Sequence, residues 1–206
     1  MGAITQSNAI YLTISNGQIC KKVIKPTATS KERVNKNGAT VHEEHYKGWK
    51  GRITGIAVRD HKDYGKHWNV TITDEDGDAI LQMNYSSGYS AAFLKILPNI
   101  DLNSEVNIVP DMRVEGDKKK TTLFITQHGK PVKWYYTKDN PNGLPPLNKI
   151  RVKGEDTWDD SDCMEYLEKM VNETIVPKLS KQGVAVKAEV PAGIEEDKDE
   201  TEELPF

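Results

Sequence analysis

The sequence predicts a mainly β protein: a small barrel with one short helix after its central strands and one longer helix near the C-terminus. Two observations carry that reading. Most apolar residues fall in short runs of period two bounded by turn signals, and only two stretches show helical periodicity. Residues 9–15 alternate, with Ile10, Leu12 and Ile14 on one face and Tyr11 and Thr13 on the other. Asn16-Gly17 is a tight-turn signal, and residues 18–24 form the returning strand. Residues 26–40 are rich in Pro, Thr, Ser, Lys, Asn and Gly without an apolar period, and read as a long basic loop. Residues 49–59 form a longer strand, in which Gly51 and Gly55 suggest bends or bulges. A loop over 60–65 leads to strands at 66–74 and 79–85, joined by the turn Asp74-Glu-Asp-Gly-Asp78. Residues 88–97 read as a short helix stopped before Pro98. Strands follow near 105–109, 121–127 and 131–137, with His128-Gly129-Lys130 turning between the last two.

Residues 138–149 read as an extended linker. A helix over 162–176 starts at the capping-box-like Asp162-x-x-Glu165. It lines Met164, Leu167, Val171 and Ile175 on one face, and Pro177 should end or kink it. That face packs on the barrel or on another subunit, which leaves a homodimer open. Strands, a short helix and further strands match the order of an OB-fold, a five-stranded Greek-key barrel, here with extra strands. The expected organisation is an OB-fold domain over 1–153, a C-terminal helix over 154–182 and a disordered acidic tail over 183–206.

Charge divides the chain in the same place. The net charge of −3 hides +8 over residues 1–153 and −11 over 154–206. A basic body suits a polyanion, and an acidic end can imitate one. The end reads Glu202-Glu-Leu-Pro-Phe206, and a solvated tail gains nothing from an exposed ring. A partner surface with an apolar pocket and basic residues would explain that tip. Cys20 and Cys163 lie far apart with no metal-ligand spacing, so reduced thiols in a cytoplasmic protein are expected. The N-terminus lacks a signal-peptide pattern, and no stretch is apolar enough to span a membrane.

Catalytic motifs are missing: no nucleophile elbow, phosphate loop or dinucleotide glycine pattern. His42-Glu-Glu-His45 is H-x-x-H and not the zinc-protease motif, and Asp74–Asp78 misses the calcium-loop spacing. No enzyme, cofactor or metal is expected. Trp68, Tyr85, Trp134 and Tyr136 share faces with apolar residues and read as core. Tyr11, Phe124 and Tyr135 fall on polar faces, Tyr64 sits in a basic loop, and Trp49 lies between Lys47 and Lys50. Burial under a loop or helix would account for any one of these rings, but less well for all together. A stacked base would cover them, at about 1–3 kcal/mol per base. Lys50, Arg52, Arg59, Lys66, Arg113 and Lys133 could neutralise phosphates along the same groove.

With barrel, rings and tail assembled, the chain resembles bacterial and bacteriophage single-stranded DNA-binding proteins. The tail Asp199-Glu-Thr-Glu-Glu-Leu-Pro-Phe206 is similar to their acidic C-terminus. The stretches Lys66–Thr73, Tyr85–Leu94 and Lys133–Gly143 look like phage-type members. The resemblance implies sequence-independent binding of single-stranded DNA in replication, recombination and repair. It also implies a tail, Glu202, Glu203, Leu204, Pro205 and Phe206, that recruits a polymerase, helicase, primase or nuclease. The helix before the tail is not the Gly/Gln-rich linker of most bacterial members, and the cysteine-rich zinc site of some phage members is absent. Rival expectations are an RNA-binding OB-fold protein, a protein-binding adaptor or inhibitor acting through the tail, and a hydrolase using Asp76 or His45.

Overall fold

The structure is a computed structural model that describes residues 9–35, 38–62, 65–152 and 155–181. The protein is mainly β. Ten strands form one hydrogen-bonded sheet: β1 (Ile10–Ser15), β2 (Gln18–Val23), β3 (Lys31–Val34), β4 (Thr40–Tyr46), β5 (Trp49–His61), β6 (Gly65–Asp74), β7 (Gly77–Asn84), β8 (Val106–Glu115), β9 (Lys118–Gln127) and β10 (Lys130–Pro131). Their spatial order is β10-β9-β8-β5-β6-β7-β1-β2-β4-β3. A separate hairpin pairs β11 (Asn148–Val152) with β12 (Glu155–Asp159).

Three local signals were read correctly and have clear causes. Asn16 and Gly17 both take positive φ, at 47° and 74°, as the tight turn between β1 and β2 requires. A Cβ on Gly17 would stand 2.9 Å from the Met112 nitrogen, so this turn also lies against β8. α1 (Gly88–Ile96) is capped by Ser87, whose hydroxyl accepts from the Ser90 nitrogen at 3.1 Å. Pro98 then confines the chain to a 3₁₀ turn over Leu97–Asn99. The backbone nitrogen of Gly17 donates to the Tyr89 hydroxyl at 2.9 Å, which ties the first hairpin to α1.

The closed five-stranded barrel is not what forms. β7 gives its free edge to β1 in a parallel pairing, Ile10 to Ala79 through Leu12 to Leu81, and the ladder continues outward to β3. The sheet stays open in its hydrogen bonding but curls, as the approach of Gly17 to Met112 shows. Its inner face is one core that includes Leu12, Ile53, Ile56, Trp68, Val70, Ile72, Leu81, Ile108 and Leu123, with Phe93 and Leu94 of α1.

Other expectations fail for physical reasons. The supposed loop over 26–40 contains β3, held by pairing with β4 through Arg33↔Val41 and Lys31↔Glu43. Those partners are distant enough in sequence to hide any local apolar period. β8 and β9 run as a long hairpin well past their predicted ends. Of the predicted strand at 131–137, only Pro131 and Val132 engage β9, Val132 by its nitrogen donating to the Ile125 carbonyl at 2.8 Å. Beyond it the backbone docks on α1 instead, with the Tyr135 nitrogen donating to the Lys95 carbonyl at 2.9 Å. Trp134 is exposed, not core, whereas Tyr136 is buried. The C-terminal helix is broken into α2 (Ser161–Met170), a π-helical turn over Val171–Ile175 and α3 (Val176–Lys181). Pro177 thus does not end it. Pro177 has no N–H to give, and the wider turn just before it absorbs the missing bond. The cap is Asp160 and makes no side-chain capping bond, so the capping-box reading at Asp162 is also corrected. The predicted stripe of Met164, Leu167, Val171 and Ile175 is buried in the core.

Candidate nucleic-acid interface

The outer face of the sheet is where the register gathers polar and cationic side chains. On β5 it carries Arg52 and Arg59. Residues seven apart on a regular strand point to opposite faces. Here a bulge intervenes: Ile53 pairs with Ile72 but Gly55 with Thr71, so Thr54 is the extra residue. The bulge resets parity and puts both arginines on one face, with the Thr54 hydroxyl 2.8 Å from that of Thr73. Cross-strand neighbours on this face are Thr73, Thr71, Asn69 and His67 of β6, then Ile80 and Gln82 of β7. Gln82 Nε2 donates to Asn69 Oδ1 at 3.2 Å, while the enclosed Gln82 Oε1 has no partner. Tyr11 of β1 pairs with Ile80 and so lies on the same face, as predicted from its alternation with Leu12.

The other flank of this face is β8–β9. Phe124 pairs with Val109 between Thr122 and Thr126, and 47% of it is exposed. Most cations nearby are already engaged. Lys50 Nζ is 2.7 Å from Glu105 and Arg113 Nε 3.0 Å from Asp111, while Lys120 pairs with Glu115. Arg52 and Arg59 form no ion pair among the described residues. Lys133 is exposed on the segment that docks on α1, beside Trp134 and Tyr135, which are 39% and 38% exposed.

Two predicted residues lie on the inner side. Trp49 pairs with Ile108, packs against the core and meets the Tyr46 ring edge-on at 5.4 Å. The Tyr46 hydroxyl donates to Glu44 at 2.6 Å, and that bond leads the causes pushing its pKa up to about 12. Lys66 Nζ is 2.7 Å from Glu168 of α2 and 4.1 Å from the centre of the Tyr85 ring. Tyr85 donates to the same carboxylate at 2.5 Å and stacks on Trp68. Burial raises the Glu168 pKa, but the bonds from Lys66 and Tyr85 outweigh it and leave the carboxyl below its ordinary value. Burial leads the causes that push Tyr85 strongly upward. Tyr64 and the tail residues Glu202, Glu203, Leu204, Pro205 and Phe206 lie outside the described residues.

A second polar cluster sits farther along the outer face. Cys20 of β2 pairs directly with His45 of β4, and Glu43 is two residues from His45 on the same face. Their ligand-capable atoms all lie within 4.8 Å of one another. Burial, then the Glu43 carboxylate, push the Cys20 thiol up to about 11. Chain spacing concealed this group, because the pairing that forms it joins residues 25 apart. The visible H-x-x-H spacing misleads, since His42 and His45 face opposite sides of β4.

Among the described residues no helix is long and apolar enough to cross a membrane. Comparison with known proteins gives no match: no family model, curated protein or solved structure is similar to this chain.

Proposed function

We propose that the protein binds single-stranded DNA without sequence preference, across the outer face of β5, β6 and β7 and the flank of β8–β9. The observation that carries this reading is the placement of Arg52 and Arg59. A bulge brings both to one face, and neither is neutralised by a carboxylate among the described residues. A guanidinium held without an anion on a polar sheet is suited to a phosphate oxygen. Half-buried Thr71, Thr73 and His67 add uncharged polar groups beside them on the same face. Phe124 offers a ring to a base, and Tyr11 continues the same face five strands away.

The strand order supports the reading at the level of architecture. β5, β6 and β7 form a meander, α1 follows, then β8–β9, with β8 antiparallel to β5. That is the order of an OB-fold. We read the domain as an OB-fold variant whose closing edge has been taken by β1. In OB-folds, the second and third strands of the barrel form the oligonucleotide face, here β6 and β7. The acidic end, −11 over residues 154–206, competes for the same basic surface and recruits replication or repair enzymes through Leu204-Pro205-Phe206.

The test is titration of the full chain with oligo-dT over a range of salt. Binding should weaken as salt rises, with a slope of about −0.7 per phosphate contacted. Matched RNA should bind about as well, because no contact to the 2′-hydroxyl is invoked. Salt-independent or absent binding would remove the proposal, and clearly tighter RNA binding would favour the RNA reading.

A further inference from the structure

We propose that Cys20, Glu43 and His45 form a site for one thiophilic divalent cation, zinc foremost, on β2 and β4, beyond the strands assigned to DNA. The backbone register builds it. Cys20 and His45 are a direct antiparallel pair, and Glu43 is the diagonal neighbour of Cys20 across from Lys22. All three therefore project from the same side of β2 and β4. Their sulfur, nitrogen and oxygen atoms lie within 4.8 Å of one another. Ligand atoms on tetrahedral zinc stand roughly 3.3–3.7 Å apart, given bonds of about 2.0–2.3 Å. Small side-chain rotations close that difference.

The surroundings orient the donors. His45 Nδ1 lies 3.1 Å from Gln18 Oε1. An amide oxygen only accepts, so in a neutral ring this contact puts the proton on Nδ1 and leaves the Nε2 lone pair for a metal. Nε2 faces Glu43 Oε2 at 3.6 Å, too long for a hydrogen bond. The other carboxylate oxygen, Oε1, accepts from Arg33 at 2.7 Å, which fixes the plane of the group. A second partner on the imidazole and another on the carboxylate are the usual supports of metal ligands. A lone pair, a carboxylate oxygen and a thiol sulfur thus converge, two of them on buried residues. Arg33 holds one carboxylate oxygen and the thiol donates to the Gln18 carbonyl at 3.7 Å, which leaves Glu43 Oε2, Nε2 and the sulfur lone pairs open to a metal.

The donor set selects the metal class. Thiolate and imidazole suit zinc and other borderline-soft cations, whereas magnesium and calcium prefer all-oxygen sites. On binding, the thiol proton passes to solvent and the sulfur donates its electron pair to the metal. Thiolate and carboxylate together neutralise the dication, and Arg33 retains its charge. No redox change is involved. The alternative role for the thiol, as a nucleophile, does not suit a sulfur this buried. With three protein ligands, the fourth position goes to water. The metal would link β2 to β4 and so anchor the β3–β4 arm at the sheet's end.

The test is cobalt(II) titration of the reduced, chelator-treated full chain, followed by its absorption spectrum. One equivalent should bind, with a thiolate-to-cobalt charge-transfer band and intense visible bands of a four-coordinate site. Cys163→Ser should leave both unchanged. Cys20→Ser should abolish the charge-transfer band, and His45→Gln should weaken binding at least tenfold. Gln18→Ala, which touches no metal, should weaken it by about tenfold through loss of its support to His45. Absence of the band in the wild type, or its survival in Cys20→Ser, would overturn the proposal. Should Cys20→Ser not fold, His45→Gln decides: unchanged cobalt affinity there overturns it, and weakened affinity supports it.

Discussion

Arg59 and Lys66 are neighbours across β5 and β6, one register step apart, yet they face opposite sides of the sheet. Arg59 pairs with His67 on the outer face, while Lys66 pairs with Asp60 and turns inward. Arg59 meets no carboxylate among the described residues; Lys66 is held by Glu168 and by the Tyr85 ring. In sequence both are cations flanking the same loop, and both look like phosphate ligands. The difference lies in what covers each side. α2 brings a carboxylate to the inner side and converts Lys66 into a clasp between helix and sheet. Nothing comparable among the described residues reaches Arg52 or Arg59.

This comparison is broken most directly by removing the outer cations. Arg52→Ala with Arg59→Ala should weaken oligo-dT binding on the order of 100-fold if each loses a charge-assisted bond of about 1.5 kcal/mol. The salt slope should fall by about 1.4, two phosphates' worth. Thermal stability should hardly change, because neither arginine forms an ion pair among the described residues. An unchanged salt slope in a folded double variant would place the DNA elsewhere.

The inner clasp should behave in the opposite way. Glu168→Ala should cost about 1–3 kcal/mol of stability in denaturant melts, since it strands the Tyr85 hydroxyl and the Lys66 ammonium. Oligo-dT affinity should stay within about twofold, by the independence of distant sites. A stability change without a binding change is the signature expected of Lys66 as a structural residue.

The same clasp gives a pH dependence of defined sign. Glu168 titrates below its ordinary value of 4.5 in the folded protein. The unfolded chain therefore takes up this proton first on acidification. The stabilisation is complete above about pH 4.5 and is lost as pH falls through the folded value. Melts of the wild type and of Glu168→Gln should converge below that pH and diverge above it. Parallel curves throughout would show that the carboxylate charge contributes nothing.

Smaller effects sharpen the outer face. Phe124→Ala should weaken oligo-dT binding by about 1 kcal/mol, the low end for one stacked base. Retained affinity would mean that its exposed ring has no base to cover. Deleting residues 194–206 should tighten binding a few-fold, most at low salt where screening is weakest. Weaker binding after the deletion would remove the competition between tail and DNA.

Much of the fold was legible because its causes are local. Strict alternation in β1, the Asn16-Gly17 turn, the short helix stopped at Pro98, and the apolar stripe of the C-terminal helix each depend on residues a few positions apart. The two glycines of β5 also announced an irregular strand. What alternation could not reveal was that the bulge falls at Thr54 and puts Arg52 and Arg59 on one face. That Trp49 and Lys66 lie on the inner side was hidden for the same reason: neighbours along the chain do not say which face another element covers.

The sequence alone determined a mainly β chain, the turns that join its first strands, the small helix after the central meander, and the charge division between body and tail. Those features depend on residues a few positions apart, where propensity and period dominate. Tertiary structure decided that β1 occupies the edge of β7, and that Lys66 locks to Glu168. It also brought Cys20, Glu43 and His45 together. Each of these depends on a pairing between distant segments, and a strand's neighbour is set by the core they bury together.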